Sequence, residues 1–164
     1  DFAVVTGPPG RSLSAGRLEL PLRQARLQCG QELKSDWDQV SYTELPVGAG
    51  DFDRLQILCQ HLIRNAIQYR SERAPVITIS AKPADQEWLV EVHDNGPGIP
   101  PEFREKIFDL YFRLHGKNIP GNGLGLSVCN TIVKAHGGRI WVASHSGEGS
   151  TFSVTLPSRK DPSS

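Results

Sequence analysis

Between residues 51 and 69 the apolar positions recur at helical spacing: Leu55, Leu58, Cys59, Leu62, Ile63 and Ala66 make one wide face. Asp51 or Asp53 supplies a start signal for this helix. His61, Asn65 and Gln68 gather at one edge of the face, because residues three and four apart are neighbours on a helix. A second helical pattern, Leu22, Ala25, Cys29 and Leu33, follows Pro21, which suits the first position of a helix. A third runs from Leu124 to His136 and is closed by Gly137 and Gly138.

Elsewhere the period is two. Trp37 to Leu45 reads as a short strand with its flanks, and Val76–Ala81 and Trp88–His93 as a hairpin turning at Pro83-Ala84-Asp85. Trp88, Val90, Val92 and Asp94 share one face, so an acid emerges at a strand end beside apolar side chains. Arg139–Ser144 and Ser150–Leu156 form a further pair around Gly147-Glu148-Gly149. Phe152, Val154 and Leu156 face one way; Thr151, Ser153 and Thr155 face the other. The order is helix, strand, helix, two strands, an irregular stretch, helix, two strands. Hairpins dominate, which predicts an α+β fold: a two-layer α/β sandwich whose mixed, mostly antiparallel sheet carries its helices on one face. A doubly wound fold is excluded, because strands and helices do not alternate one for one.

Composition bounds the reading. The 164 residues suffice for one domain with its own core. Lys plus Arg number 18, as do Asp plus Glu, so no global field draws the chain to nucleic acid or to an anionic membrane. No stretch has the apolar length of a membrane span, and no signal-peptide pattern opens the chain. There is no Met, even at position 1, so the sequence reads as a piece of a longer protein, whose membrane anchor or sensor would lie outside it. Cys29, Cys59 and Cys129 form no CxxC pair and fall within helical patterns; they read as buried, reduced thiols in a cytoplasmic setting. Residues 1–16, rich in Gly, Pro and Ser, read as a linker or the end of a preceding element, residues 17–157 as the domain, and residues 158–164 as a loose tail.

The candidate chemistry lies in two glycine runs. Asp94-Asn95-Gly96-Pro97-Gly98-Ile99 ends an apolar strand, and Gly121-Asn122-Gly123-Leu124-Gly125-Leu126 opens directly into a helix. An aromatic and basic stretch without regular pattern separates them. A base-recognising acid, a mobile cover and a phosphate-cradling helix start are the parts of a nucleotide site. Taken singly, each run has a plainer reading. Asp-Asn-Gly is ordinary turn chemistry. The second run lacks the Lys of a P-loop and does not follow the first strand of a Rossmann unit.

In order and spacing, these motifs resemble the GHKL ATPases. Leu62-Ile63-Arg64-Asn65-Ala66-Ile67 is similar to their N box, Asp94 to Gly98 to the first glycine box, Phe108 to Phe112 to the F box, and Gly121 to Gly125 to the second glycine box. Gly149-Ser150-Thr151-Phe152 followed by Leu156-Pro157 resembles the end of a sensor histidine kinase catalytic domain, and Tyr111 to His115 the phytochrome-like and hybrid kinases. The resemblance spans Leu18 to Pro157 and implies a Bergerat-type ATP-binding fold with ATP and Mg²⁺ as cofactors.

It also implies roles. Asp94 would accept a hydrogen bond from the adenine amino group, where guanine presents a carbonyl oxygen, so ATP would be preferred to GTP. Gly96 and Gly98, with Ile99 next in the segment, would bring backbone close to the base. Asn65 would give its amide oxygen to Mg²⁺, which takes few protein ligands, and Tyr69 keeps the aromatic that usually follows. Gly121, Gly123 and Gly125 would leave N–H groups for the triphosphate where Leu124 and Leu126 open the helix; its dipole adds ~0.3–1 kcal/mol if exposed. Arg113 and Lys117 would reach the γ-phosphate from a lid anchored by Phe108 and Phe112. Asn65 and Arg113 would form the catalytic pair, and Thr151 matches a position near the adenine.

Two positions depart from the family pattern. His61 stands where ATP-hydrolysing relatives have Glu, which implies weak hydrolysis. Gln68 replaces a common Lys and removes one phosphate contact, which implies modest ATP affinity. His61-Leu62 does not make a phosphoacceptor box, because Leu62 takes the place of the acid and Ala66 that of the proline. The resemblance therefore implies the catalytic domain of a histidine kinase acting on a histidine of a separate dimerisation domain within a homodimeric parent. A response regulator lies downstream, with no nucleic acid and no direct membrane contact. The alternatives are a degenerate nucleotide-sensing or docking module, or a GHKL serine kinase or ATPase.

Overall fold

The computed structural model describes residues 14–33, 40–43, 45, 47–68, 76–109, 125–145 and 148–157. In chain order its elements are β1 Ser14–Arg17, α1 Glu19–Leu33, β2 Val40–Tyr42, β3 Val47–Gly50, α2 Phe52–Gln68, β4 Ile77–Ala84 and β5 Glu87–Asp94. After the 3-10 turns Pro101–Phe103 and Lys106–Phe108 come α3 Gly125–Ala135, β6 Ile140–His145 and β7 Gly149–Pro157.

The main sheet has the order β2-β4-β5-β7-β6. Only its β2–β4 pair is parallel; the other three pairs are antiparallel. One face carries the buried Ile77, Ile79, Val92, Val142, Phe152, Val154 and Leu156. Alternation puts Thr78, Lys82, His93 and Trp141 on the other face, where they are exposed. The helices cover the apolar face: Leu22 of α1 and Leu55, Leu58 and Ile63 of α2 meet Ile79, Val92 and Val154 around a small apolar cavity of about 40 Å³. The predicted two-layer, mostly antiparallel architecture with helices on one face is thus the observed one.

Local rules account for the element ends. Asp51 is the N-cap of α2: its Oδ1 accepts the Arg54 N–H at 3.3 Å, and its carbonyl accepts Leu55 N–H at 2.9 Å. Its other oxygen lies 3.5 Å from Arg54 Nε. At the end of α3, Gly138 N–H bonds Val133 O at 3.0 Å and Gly137 N–H bonds Lys134 O at 2.9 Å, the two crossed bonds of a Schellman cap. Gly137 has φ +76°, a conformation that costs glycine nothing.

Three expectations change at the boundaries. Helix α1 starts at Glu19, two residues before Pro21, because none of the first four helical N–H groups has an intrahelical partner and a proline there loses no bond. Ser14–Arg17, expected to fall largely in the linker, is a strand paired antiparallel with Val47–Gly50. Its partner, Val-Gly-Ala-Gly, has one strand former among residues that disfavour strands, too little to reveal it. Within Trp37–Leu45, read as a short strand with its flanks, the described strand is Val40–Tyr42, and residues 37–39 and 44 lie outside the described residues. The β4–β5 turn lies at Asp85-Gln86, with Asp85 at φ +58°, and Pro83 belongs to β4 opposite Trp88. β2 pairs only with Ile77–Ile79, so Pro83 sits where that edge of β4 has no β2 partner and a missing N–H is tolerated.

A histidine ties the helix layer together. His136, buried at the end of α3, directs Nδ1–H to Ile132 O at 2.8 Å, while its Nε2 accepts the Asp51 N–H at 3.0 Å. The start of α2 is thereby fixed to the end of α3. Removing the ring leaves the part-buried Asp51 N–H without its partner and opens a hole, so His136→Ala is expected to cost about 2–4 kcal/mol. Urea denaturation checks this; a midpoint equal to wild type would contradict the role. Cys129 is fully buried, with Sγ 3.9 Å from Leu58 O. Burial raises its thiol well above the ordinary value, so it is an inert, reduced packing group. Cys59 is also a free thiol, half-buried on α2, and the side chain of Cys29 lies outside the described residues.

Candidate nucleotide site

β5 delivers Asp94 to the end of the sheet, buried, with the apolar Val92 two residues before it on the same face. Its Oδ1 accepts the Gly96 N–H at 2.9 Å, which bends the chain out of the strand. Burial pushes the carboxyl above its ordinary value; the backbone N–H groups of Gly96 and Ser150, and His93, partly offset this. An ionised carboxylate has about four acceptor positions, so two backbone donors leave capacity for a ligand donor.

The chain then passes Gly98, at φ +85°, to Ile99, whose N–H bonds Ser144 Oγ at 2.7 Å. The two 3-10 turns follow. Phe108 meets Phe152 edge to face with centroids 6.2 Å apart, so it anchors the start of the stretch expected to be the lid.

Asp94, Ser150 and Ser144 are register partners in turn across β5, β7 and β6, and all three are buried. Gly149 precedes Ser150 at φ +99°, and a Cβ there would lie 2.0 Å from the Asp94 carbonyl oxygen. β7 and β5 can approach this closely only because position 149 has no side chain.

Asn65 occupies the last full turn of α2, half-buried beside the buried Ala66. One turn earlier Leu62 and Ile63 line the interlayer cavity with Val92, on the strand that ends at Asp94. Leu126 sits in the first turn of α3, half-buried against the core, and Gly125 begins that helix. Tyr69, Arg113, Lys117, Gly121, Gly123 and Leu124 lie outside the described residues.

Thr151 does not stand beside Asp94. It pairs with His93 in register, and its Oγ1 lies 2.9 Å from His93 Nδ1 on the opposite face of the sheet. Ser150 takes the place beside Asp94. The alternation in the sequence carried that signal, since Ser150 shares a face with Phe152 and Val154. Ser144, Arg104 and His136 carry no local signal for the site or its scaffold, because their roles rest on contacts 40 or more residues away.

Among the described residues no group of three or more His, Cys, Asp or Glu side chains could hold a metal. The amide oxygen of Asn65 is a hard donor of the kind that suits Mg²⁺ arriving with phosphates and keeping several of its waters. No helix of the described residues is long and apolar enough to cross a membrane.

A two-layer α/β sandwich with a buried acid at a strand end and a glycine turn beneath it defines a class of ATP-binding domain. The model of the histidine kinase-, DNA gyrase B- and HSP90-like ATPase family matches residues 50–160. The chain belongs to that family. It is 41% identical to cyanobacterial phytochrome A of Nostoc sp. over 85% of its length, and 33% identical to the adaptive-response sensory kinase SasA of Thermosynechococcus vestitus over 96%. It spans only 18% and 43% of those two proteins. Among solved structures it is similar to the catalytic domain of the histidine kinase ThkA, with TM-score 0.73 and 25% identity over 92% of this chain and 100% of that one.

Proposed function

We propose that this chain is the ATP-binding catalytic domain of a sensor histidine kinase, presenting the γ-phosphoryl of Mg-ATP to a histidine on the dimerisation domain of its parent. The observation that carries the reading is Asp94: a buried acid at the end of β5, held by Gly96 N–H, with acceptor capacity left over. An adenine amino group supplies the missing donor; guanine does not. Asn65 would give an amide oxygen to Mg²⁺, which when bound would neutralise phosphate charge. Arg113 and Lys117 would meet the γ-phosphate, and the N–H groups around Gly121, Gly123 and Gly125 would hold the triphosphate.

Phosphoryl transfer requires mainly positioning and charge neutralisation, so the nucleophile can be brought by a different domain. The parent works as a cytoplasmic homodimer and passes the phosphoryl group to a response regulator. By itself the chain binds nucleotide and labels itself little, because His61 lacks the adjacent acid of a phosphoacceptor box.

The test mixes this chain with a histidine-bearing dimerisation domain and γ-labelled ATP. Label is expected on the added domain, and strong self-labelling of this chain would contradict the reading. Steady ATP turnover without the added domain would favour an ATPase. An absence of any nucleotide effect on melting would favour a docking module.

A further inference from the structure

We propose that Ser144, a residue of β6 outside the nucleotide-contacting set, is the positioning residue of the base pocket and thereby sets the preference for adenine. The inference rests on the nucleotide reading above and concerns a residue that need not touch the ligand.

Three buried polar residues stand in line across adjacent strands, Asp94, Ser150 and Ser144. Ser144 Oγ has one proton and meets three groups: Ile99 N–H at 2.7 Å, Gly149 O at 3.0 Å and Ser150 Oγ at 3.1 Å. One assignment satisfies them all. The Ile99 N–H can only donate and the Gly149 carbonyl can only accept, so Ser144 donates to Gly149 and Ser150 donates to Ser144. The hydroxyl of Ser150, register partner of Asp94, is thus turned toward Ser144.

The segment that leaves Asp94 is pinned at two points, by the Asp94 carboxylate at Gly96 and by Ser144 Oγ at Ile99. The Ser144 carbonyl accepts a further bond from the Arg104 guanidinium, so the next 3-10 turn is fixed to the same residue. One side chain and its own carbonyl therefore set the height of the Gly96–Ile99 backbone over the sheet. That height determines whether the Asp94 carboxylate and the flanking backbone fit a purine edge. A preorganised wall loses affinity chiefly for the group that it positions, here the base and not the phosphates.

Ser144→Ala removes both the acceptor and the donor; Ser144→Cys keeps the shape of the side chain with a larger atom that is a poor acceptor. Both are titrated calorimetrically with Mg-ATP, Mg-GTP and inorganic tripolyphosphate, beside wild type and Asp94→Asn. In both variants ATP affinity is expected to fall ~10-fold and the ATP-to-GTP ratio to shrink, with tripolyphosphate unchanged. Faster amide exchange at Ile99, with Val92 unchanged, is the matching readout without ligand.

Wild-type ATP affinity in both variants would overturn the proposal while leaving the nucleotide reading intact. An equal loss for ATP and tripolyphosphate would overturn it too, as general loosening. Should wild type fail to distinguish ATP from GTP, or Asp94→Asn bind as wild type, the nucleotide reading itself falls and the proposal with it. If Ser144→Ala does not fold, the Ser144→Cys titration alone decides.

Discussion

Asp94→Asn is expected to abolish the ATP-induced rise in melting temperature while leaving the unliganded protein as stable as wild type or more so. The amide keeps an oxygen for Gly96 N–H, so the turn survives. Its NH₂ then opposes the adenine amino group, donor against donor. Losing a charge-assisted hydrogen bond and stranding a buried donor costs about 3 kcal/mol, or ~10²-fold in affinity.

The stability of the free protein moves the other way for an electrostatic reason. Burial raises the Asp94 carboxyl above its ordinary value, so the folded state pays for ionising it near neutral pH. That cost is relieved as pH falls through the raised value, and Asn removes it at every pH. Nucleotide affinity follows the opposite course. It needs the ionised acceptor, so it falls as pH drops through the raised value. Calorimetric titration of ADP against pH checks this: the wild-type profile is expected to drop where the Asp94→Asn profile stays flat.

Gly149→Ala is expected to damage both the fold and the site. The new Cβ would meet the Asp94 carbonyl oxygen at 2.0 Å, and φ +99° is strained for any L side chain. The obstacle is backbone, so no rotamer change relieves it, and β7 must move away from β5. Strain and displacement together amount to about 3 kcal/mol or more. Urea unfolding is expected to show that loss, and ATP titration a further loss of affinity in whatever remains folded. A variant with the wild-type midpoint and wild-type affinity would mean that the β5–β7 approach is not needed.

These two substitutions also show what the sequence could reveal. Asp94 was legible because three local signals coincide: an apolar alternation that ends on it, a glycine turn after it, and a second glycine run downstream. The layer architecture was legible for a similar reason, since period and turn chemistry fix α2, β4, β5, α3 and β7 to within a few residues. The β1–β3 pair was not, because a helix and a strand separate the two segments in the chain and Ser-Ala-Gly-Arg and Val-Gly-Ala-Gly gain their strand character largely from pairing with each other.

Thr151 is instructive in another way. The motif likeness sets it near the base; the period of two puts it with Ser153 and Thr155 on the face away from the Asp94 side chain, where it pairs with His93. Ser144 and His136 act through bonds 45 and 85 residues away in the chain, so no local pattern marks them. Their partners become visible only when β6 reaches the first glycine turn and α3 reaches the start of α2.

The central claim is that the Asp94 carboxylate reads the purine. The most direct test is calorimetric titration of the unmodified chain with Mg-ATP and Mg-GTP under identical conditions. The account expects saturable ATP binding with GTP at least ~10-fold weaker, since guanine sets an acceptor against an acceptor. Equal affinity for the two nucleotides would contradict it.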